Sequence, residues 1–434
     1  MKKISSWGYL NNDLHDLFYY RSPGDLTDYV SRYGKVIPFG MARSYGDVCL
    51  NAGAGLCSTE YLDKYISFDV KSGVLKCESG IQLGQIQKLC VTRGWFLPVS
   101  PGTQFVTVGG AIANDVHGKN HYRQGSFGNH LISLKVLRTN GDVINCDRRN
   151  NVDLFRATIG GLGLTGLILE AEIQLRKIAS SYLEVEFIPY ESLEDFFRID
   201  SESHEDWEYT VSWFDCISNR LGRGIYQRAR HCSGNDYSHP KAKVKRNLIP
   251  FTPPFSLVNR LSLSIFNTVY FNFYKNRKGI SKTHYEPFLY PLDGVMNWNR
   301  IYGTKGFFQH QCVVPTVVAY DASLQIIREI SRQKQGSFLA VLKNFGFIKP
   351  EGMLSFPLEG TTVALDFPNL GEKTEKLFER LDGIVHEAGG RLYPAKDARM
   401  SKELFIKGYP QYEVFKQYCD PGCSSSLSRR LLGK

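Results

Sequence analysis

The sequence predicts an α+β protein of two parts, a glycine-punctuated N-terminal half and a C-terminal half built on an antiparallel sheet. Three observations predict it. A chain of 434 residues has room for two or three domains of ordinary size, each with its own core. Residues 1–179 alternate short strands and helices at sharp glycine turns. Beyond Ile178 the apolar alternation lengthens into strand-like runs separated by helical stretches, the pattern of an antiparallel sheet with helices on one face.

In the first part, Phe68 to Ser79 alternates around Lys71-Ser72-Gly73 and reads as a hairpin. Leu83, Ile86, Leu89 and Cys90 fall at helical spacing, and Gly94 stops that helix. A second hairpin spans Leu131 to Cys146, because Asn140-Gly141 favours a tight turn. Val152 to Ile159 reads as a helix and Leu167 to Leu175 as a strand. In the second part, Tyr182 to Ile188, Tyr209 to Cys216, His310 to Val318 and Thr361 to Phe367 read as strands. Ser192 to Ile199, Ala322 to Gln333 and Glu372 to Ala388 read as helices. Residues 231–290 differ from both parts: Lys241, Lys243, Lys245 and Arg246 precede a long aromatic and aliphatic stretch, Leu257 to Tyr274. Arg260 and several Asn and Ser interrupt that stretch, which makes it a poor membrane span and suggests a mobile lid or a membrane-surface contact, with an ordinary surface insertion as the alternative.

Composition narrows the class. Hydrophobic residues at 42% and charged residues at 22% exclude a disordered or fibrous chain. The net charge of +10 attracts phosphate-bearing partners or an anionic membrane surface, but the basic residues are spread, and no nucleic-acid-binding signature accompanies them. The ten cysteines contain no C-x-x-C pair, so reduced thiols are expected; Cys419 and Cys423 alone make no metal site. No apolar run follows Lys2-Lys3, so neither a signal peptide nor a transmembrane helix is expected.

Gly161-Leu162-Gly163-Leu164-Thr165-Gly166 fits G-x-G-x-x-G, yet a helix precedes it and a strand follows it, the reverse of the nicotinamide-binding order. Two other turns suggest a different nucleotide cradle. Pro38-Phe39-Gly40-Met41-Ala42-Arg43-Ser44-Tyr45-Gly46-Asp47 follows a short apolar strand, and Pro101-Gly102-Thr103 precedes Thr107-Val108-Gly109-Gly110-Ala111-Ile112-Ala113. Glycines there let backbone N–H groups approach a pyrophosphate, and the Ser44 and Thr107 hydroxyls can donate as well. Gln309 and Gln311 are two apart and share one strand face, while Lys343 interrupts an apolar stretch and calls for an anionic partner such as a substrate phosphate.

The order of these turns resembles the vanillyl-alcohol-oxidase, PCMH-type, family of FAD-binding proteins. The match runs on through Asn114-Asp115-Val116-His117-Gly118-Lys119-Asn120-His121, Gly125-Ser126-Phe127-Gly128, Gln309-His310-Gln311, Asp366-Phe367-Pro368 and Gly390 to Asp397. It is strongest to the branch that oxidises a ring hydroxyl of polyprenyl-phosphate pentoses. The resemblance implies that residues 38–47, Gly102, Thr107, Val108, Gly109, Gly110, Asn114, Asp115, Val116, His117, Ile168 and Tyr393 contact FAD. The FAD domain is then discontinuous, 1–179 with 391–434, around a substrate domain at 180–390. Covalent members carry a flavin-linked His in the first loop, where Arg43-Ser44-Tyr45 stands here, so noncovalent FAD is expected.

The same resemblance makes Lys396, His117 and Tyr45 the catalytic candidates and Lys119, Gln309, Gln311, Lys343, Thr362, Ala364 and Lys396 the substrate-binding ones. Oxidising an alcohol needs a base and donors near the developing oxyanion, which these side chains supply. Ala364 stands where that branch carries a cysteine, and Thr362 where it carries an amide. It further implies a lipid-linked sugar phosphate as substrate, a separate NAD(P)H-dependent reductase completing an epimerisation, no nucleic acid, and a place in the bacterial cytoplasm or against the inner membrane. A soluble polyol or aldonolactone oxidase of the same fold, or a non-catalytic flavoprotein, remains open.

Overall fold

A computed structural model describes every residue except Asn12, Asn219, Asn235, 238–246, Lys278 and Lys434. Near the N-terminus, β1 (Lys2–Lys3), β2 (Leu14–Tyr19), β3 (Val36–Phe39) and β4 (Gly55–Ser58) form a small sheet in the order β1-β2-β4-β3. The two hairpins read from the sequence are present as β5 (Tyr65–Asp69) with β6 (Val74–Glu78) and, past the short β7 (Trp95–Phe96), as β8 (Leu131–Leu137) with β9 (Val143–Asp147). The strand after Gly166, β10 (Leu167–Gln174), runs antiparallel between β6 and β8 and closes a five-stranded sheet. A short ladder of β7 with β11 (Arg176–Lys177) ends this part.

The C-terminal half carries an eight-stranded antiparallel sheet. Its strands are β12 (Tyr182–Tyr190), β13 (Tyr209–Phe214), β14 (Gly224–His231), β16 (Ser281–His284), β18 (Phe307–Pro315), β19 (Ala340–Phe345), β20 (Gly360–Pro368) and β21 (Arg391–Leu392), ordered β16-β12-β14-β13-β19-β20-β18-β21. Two short parallel strands, β15 (Asn247–Leu248) and β17 (Val295–Met296), pair separately. Because β21 pairs with β18, the chain leaves this sheet after Leu392. The return segment then docks on the first part: Ser424 N–H donates to Val36 O at 2.9 Å, and Asp420 pairs with Arg138.

Period-two alternation gives the large sheet two unlike faces. His310, Cys312, Leu342, Val363 and Leu365 point to the helices Leu193–Ser203, Ala319–Arg332 and Glu372–Glu387, where Phe196, Ile326, Ile330, Phe378 and Leu381 complete an apolar core. Gln309, Gln311, Val341, Lys343, Thr362 and Ala364 point the other way and line a cavity. The expectation of helices on one face needs one correction. The helix Arg260–Lys275 crosses the opposite face, because Trp213 and Ile225 have the cavity-side parity and Phe271 packs on them.

Candidate active site

The cavity of about 490 Å³ lies between the glycine loops of the first part and the polar face of the large sheet. Its first wall is the loop after β3. Among the described residues, the backbone N–H groups of residues 40–44 meet no backbone or side-chain acceptor, and Ala42 sits at φ 49°, the left-handed geometry that turns successive N–H groups toward one anion. Arg43 stacks its guanidinium over Trp7, 4.3 Å from the ring centre, and its Nε has no partner among the described residues. The second wall is the turn at Gly102 and the helix Val108–Ala113, capped by Thr107, whose Oγ1 accepts from Gly110 N–H at 3.1 Å. A Cβ on Gly102 would touch nothing within 4 Å and one on Gly110 only Thr107 Oγ1, so bare backbone faces the cavity at both. Ser79 Oγ and Asn114 Oδ1 are further lining atoms without partners among the described residues. Free N–H groups, an unpaired guanidinium edge and isolated amide and hydroxyl groups are the donor set that a pyrophosphate and a flavin ring require; the residues present fit FAD.

The return segment supplies the next wall. Tyr45 N–H donates to Ala395 O at 3.1 Å, and a Cβ on Gly46 would lie 1.6 Å from Asp397 O, so glycine there permits the approach that brings Lys396 in. Tyr393 reaches across to donate from its hydroxyl to Asn114 O at 2.9 Å. Lys396 Nζ lies 3.6 Å from the Tyr45 ring centre. Burial pushes the Lys396 ammonium below the ordinary lysine range while Asp366 resists the shift; burial likewise raises the Asp366 carboxyl, against Gln309 and Lys396. Gln309 Nε2 donates to Asp366 Oδ1 at 2.5 Å, and Asp366 Oδ2 has no partner among the described residues. Burial also holds the Tyr45 hydroxyl protonated, well above the usual phenol range.

His117 is enclosed by Phe345, Phe356 and Tyr393. Its Nδ1 is 3.1 Å from Lys343 Nζ and its Nε2 is 3.1 Å from the Gln311 carboxamide. Burial first, then the Lys343 charge, lowers its pKa well below the ordinary range, so the ring is neutral, with the Lys343 amine at Nδ1 and the Gln311 amide nitrogen at Nε2. Lys343 also donates to Gly118 O at 2.8 Å, and burial brings its pKa down to about 7. Its partners are thus a carbonyl and an imidazole rather than the expected anion.

Of the sequence-derived candidates, Lys396, His117, Tyr45, Gln309, Gln311, Lys343, Thr362 and Ala364 all line this cavity. So do Pro38, Phe39, Gly40, Met41, Ala42, Arg43, Ser44, Gly102, Thr107, Gly109, Gly110, Asn114, Val116, Ile168 and Tyr393. Five do not. Gly46 serves the loop contact just described. Asp47 binds Arg430, which also holds Asp397. Val108 is core. Asp115 accepts from Ser126 Oγ and Gly128 N–H and fixes the loop behind the cavity. Lys119 Nζ is held by the Phe288 and Leu289 carbonyls, outside the lining. Conversely, Trp7, Asp293, Met296 and Trp298 line the cavity without having been singled out. Asp366 was quoted only inside its motif, although two-residue spacing from Thr362 and Ala364 already put it on their face.

Residues 25–147 match the FAD binding domain family, which together with the donor set above makes this an FAD-dependent oxidoreductase. The chain is 34% identical to decaprenylphosphoryl-β-D-ribose oxidase of Mycolicibacterium smegmatis over 99% of its own length and 97% of that protein. On that match it belongs to the family of the decaprenylphosphoryl-β-D-ribose oxidases. A protein of Streptomyces coelicolor without an assigned function is 30% identical over 81% of this chain and all of its own length. The human Δ(24)-sterol reductase is 29% identical over 30% of this chain and 25% of its own.

Proposed function

We propose that the protein oxidises a ring hydroxyl of a polyprenyl-phosphate pentose, akin to the substrate named for its mycobacterial relative, to a ketone, with FAD held noncovalently. The observation that carries this reading is one cavity joining the glycine loops to the polar sheet face of Gln309, Gln311 and Lys343 and to Lys396 of the return segment. The substrate class is supported by the relative matched over nearly the whole chain. When bound, FAD supplies the hydride acceptor. Lys396, which burial inclines toward its neutral amine, takes the proton of the reacting hydroxyl, with Asp366 offsetting the positive charge it acquires. The Tyr45 hydroxyl, held protonated, is the donor that steadies the oxygen, while His117, between Lys343 and Gln311, holds those two side chains in place. A phosphate beside Lys343 restores that ammonium's charge, which the protein alone leaves without a carboxylate. The ketone is the substrate of a separate NAD(P)H-dependent reductase, completing an epimerisation for cell-envelope polysaccharide.

Anaerobic bleaching of the flavin against prenyl-phosphate pentoses, free polyols and aldonolactones tests the reading. Bleaching by the prenyl phosphates alone supports it; bleaching by free polyols makes this a soluble sugar oxidase, and bleaching by none makes it a non-catalytic flavoprotein. Noncovalent attachment predicts a yellow supernatant after acid precipitation, whereas a yellow pellet reveals a covalent link.

A further inference from the structure

The helix Arg260–Lys275 has two apolar faces, and packing accounts for one of them. Leu263 and Phe271 are buried, and Asn267 between them donates from Nδ2 to Asp215 Oδ1 at 2.6 Å. Leu263 shares a cluster with Val258, Tyr45, Trp298 and Phe307, so this inner face forms the back of the cavity wall. On the outer face Leu261, Ile265, Val269 and Phe273 are 71%, 58%, 64% and 54% exposed. Steps of four residues drift about 40° each along an α-helix, so these four make one stripe about 120° wide, the width by which an amphipathic helix seats on an apolar partner.

Two observations identify that partner. Between Asp236 and Glu286 the sequence carries nine Lys and Arg and no carboxylate. Arg260, Lys275, Arg277 and Lys282 among them are exposed; Lys275 has Glu191 at 3.8 Å and Lys282 has Asp236 at 3.6 Å, whereas Arg277 lies 4.6 Å from the Phe273 ring centre. Apolar residues beside an excess of cations complement a hydrocarbon surface with anionic headgroups. Exposed apolar residues also lie along the chain between the cavity lining and the helix. Leu248 pairs with Met296, both are exposed, and Met296 lines the cavity, while Phe251, Phe255 and Leu257, also exposed, lie between Leu248 and the helix in the sequence. No helix among the described residues is long and apolar enough to cross a membrane, so the mode left to this one is lying along the surface.

We propose that the outer face of the Arg260–Lys275 helix lies in the interface of an anionic bilayer, beside the cavity mouth at Met296, so that a lipid-linked substrate passes from bilayer to cavity without crossing water. The surface itself is argued from exposure and charge; the passage of substrate rests on the function proposed above.

Co-sedimentation of the holoprotein with vesicles of phosphatidylcholine alone, or of phosphatidylcholine and phosphatidylglycerol in equal parts, tests the proposal. The wild type pellets with the anionic vesicles, more weakly as salt is raised, and Ile265→Asp/Val269→Asp loses at least ~10-fold in partitioning while keeping its flavin spectrum and melting temperature. Because both side chains are exposed, folding is not at stake, and Ile265→Ser/Val269→Ser gives an intermediate loss. Flavin bleaching by a short-chain, water-soluble prenyl-phosphate pentose is read without vesicles; it stays unchanged in the variant, and its absence in the wild type counts against the function and not against the surface. Equal pelleting of wild type and variant, or a wild type that remains in the supernatant, overturns the proposal. So does a concentration-dependent wild-type dimer that the variant abolishes, since the stripe is then covered by a second copy.

Discussion

The two faces of the large sheet are made by the same strands, residue by residue, and they could hardly differ more. On the helix side, Leu342, Val363 and Leu365 are fully buried among Ile326, Phe378 and Leu381, and their contribution is apolar area removed from water. On the cavity side, Lys343, Thr362 and Asp366 are equally buried, yet Thr362 Oγ1 and Asp366 Oδ2 have no partner among the described residues. Leaving buried polar groups unsatisfied costs stability. One face therefore stabilises the fold and the other spends part of that stability on groups poised for a ligand.

The sharpest way to break this contrast is Lys396→Ala. If the cavity side is the reacting side, flavin reduction by the prenyl-phosphate pentose falls ~10²–10⁴-fold, the range of a general base, while FAD stays bound. Stopped-flow reduction within a few-fold of wild type removes Lys396 from the reaction.

A second test is thermodynamic. Burial lowers the Lys343 pKa from 10.5 to about 7, so between those values the unfolded chain binds a proton that the folded one does not. Stability must then rise with pH across that window, and the cost of the buried ammonium is largest below its lower edge. Lys343→Met removes this contribution. The gain in melting temperature from pH 7 to pH 9 is expected to be smaller in the variant than in wild type, and equal gains show that Lys343 does not titrate there.

The smallest effect is expected at Ala364→Cys, which adds a thiol to the cavity wall. Nine of the ten native cysteines are buried and Cys49 is partly so, hence peptide mapping after a brief maleimide pulse should find the new thiol labelled fastest in protein stripped of FAD. Protection by added FAD or substrate places it in the site; labelling no faster than that of the native thiols puts it elsewhere.

Much of this architecture was legible because period and punctuation carry it. The Asn140-Gly141 turn, the helix stopped by Gly94 and the two-residue spacing of Gln309 and Gln311 each depend on local physics that the sequence displays directly. What local pattern cannot show is closure between distant segments. Gly46, Asp47 and Asp115 sit in loops rich in glycine and polar residues, but serve contacts to Asp397, Arg430, Ser126 and Gly128 rather than the cavity. Lys119 follows the same rule, since the carbonyls that hold it are about 170 residues away. Trp7 and Trp298 meet at 5.8 Å only after folding, and nothing near either marks it as a cavity residue.

Alternation along β20 offers the most direct measurement of all. In the series Thr362→Val, Val363→Ala, Ala364→Ser and Leu365→Ala, both the melting temperature and the rate of flavin reduction per folded molecule are recorded. Leu365→Ala is expected to cost ~2–5 kcal/mol of stability, and Val363→Ala less, with the rate kept. Thr362→Val and Ala364→Ser are expected to alter the rate or its substrate dependence with little change in melting. Two effects that alternate residue by residue are the predicted result; four variants that behave alike contradict the division of this sheet into a supporting face and a reacting one.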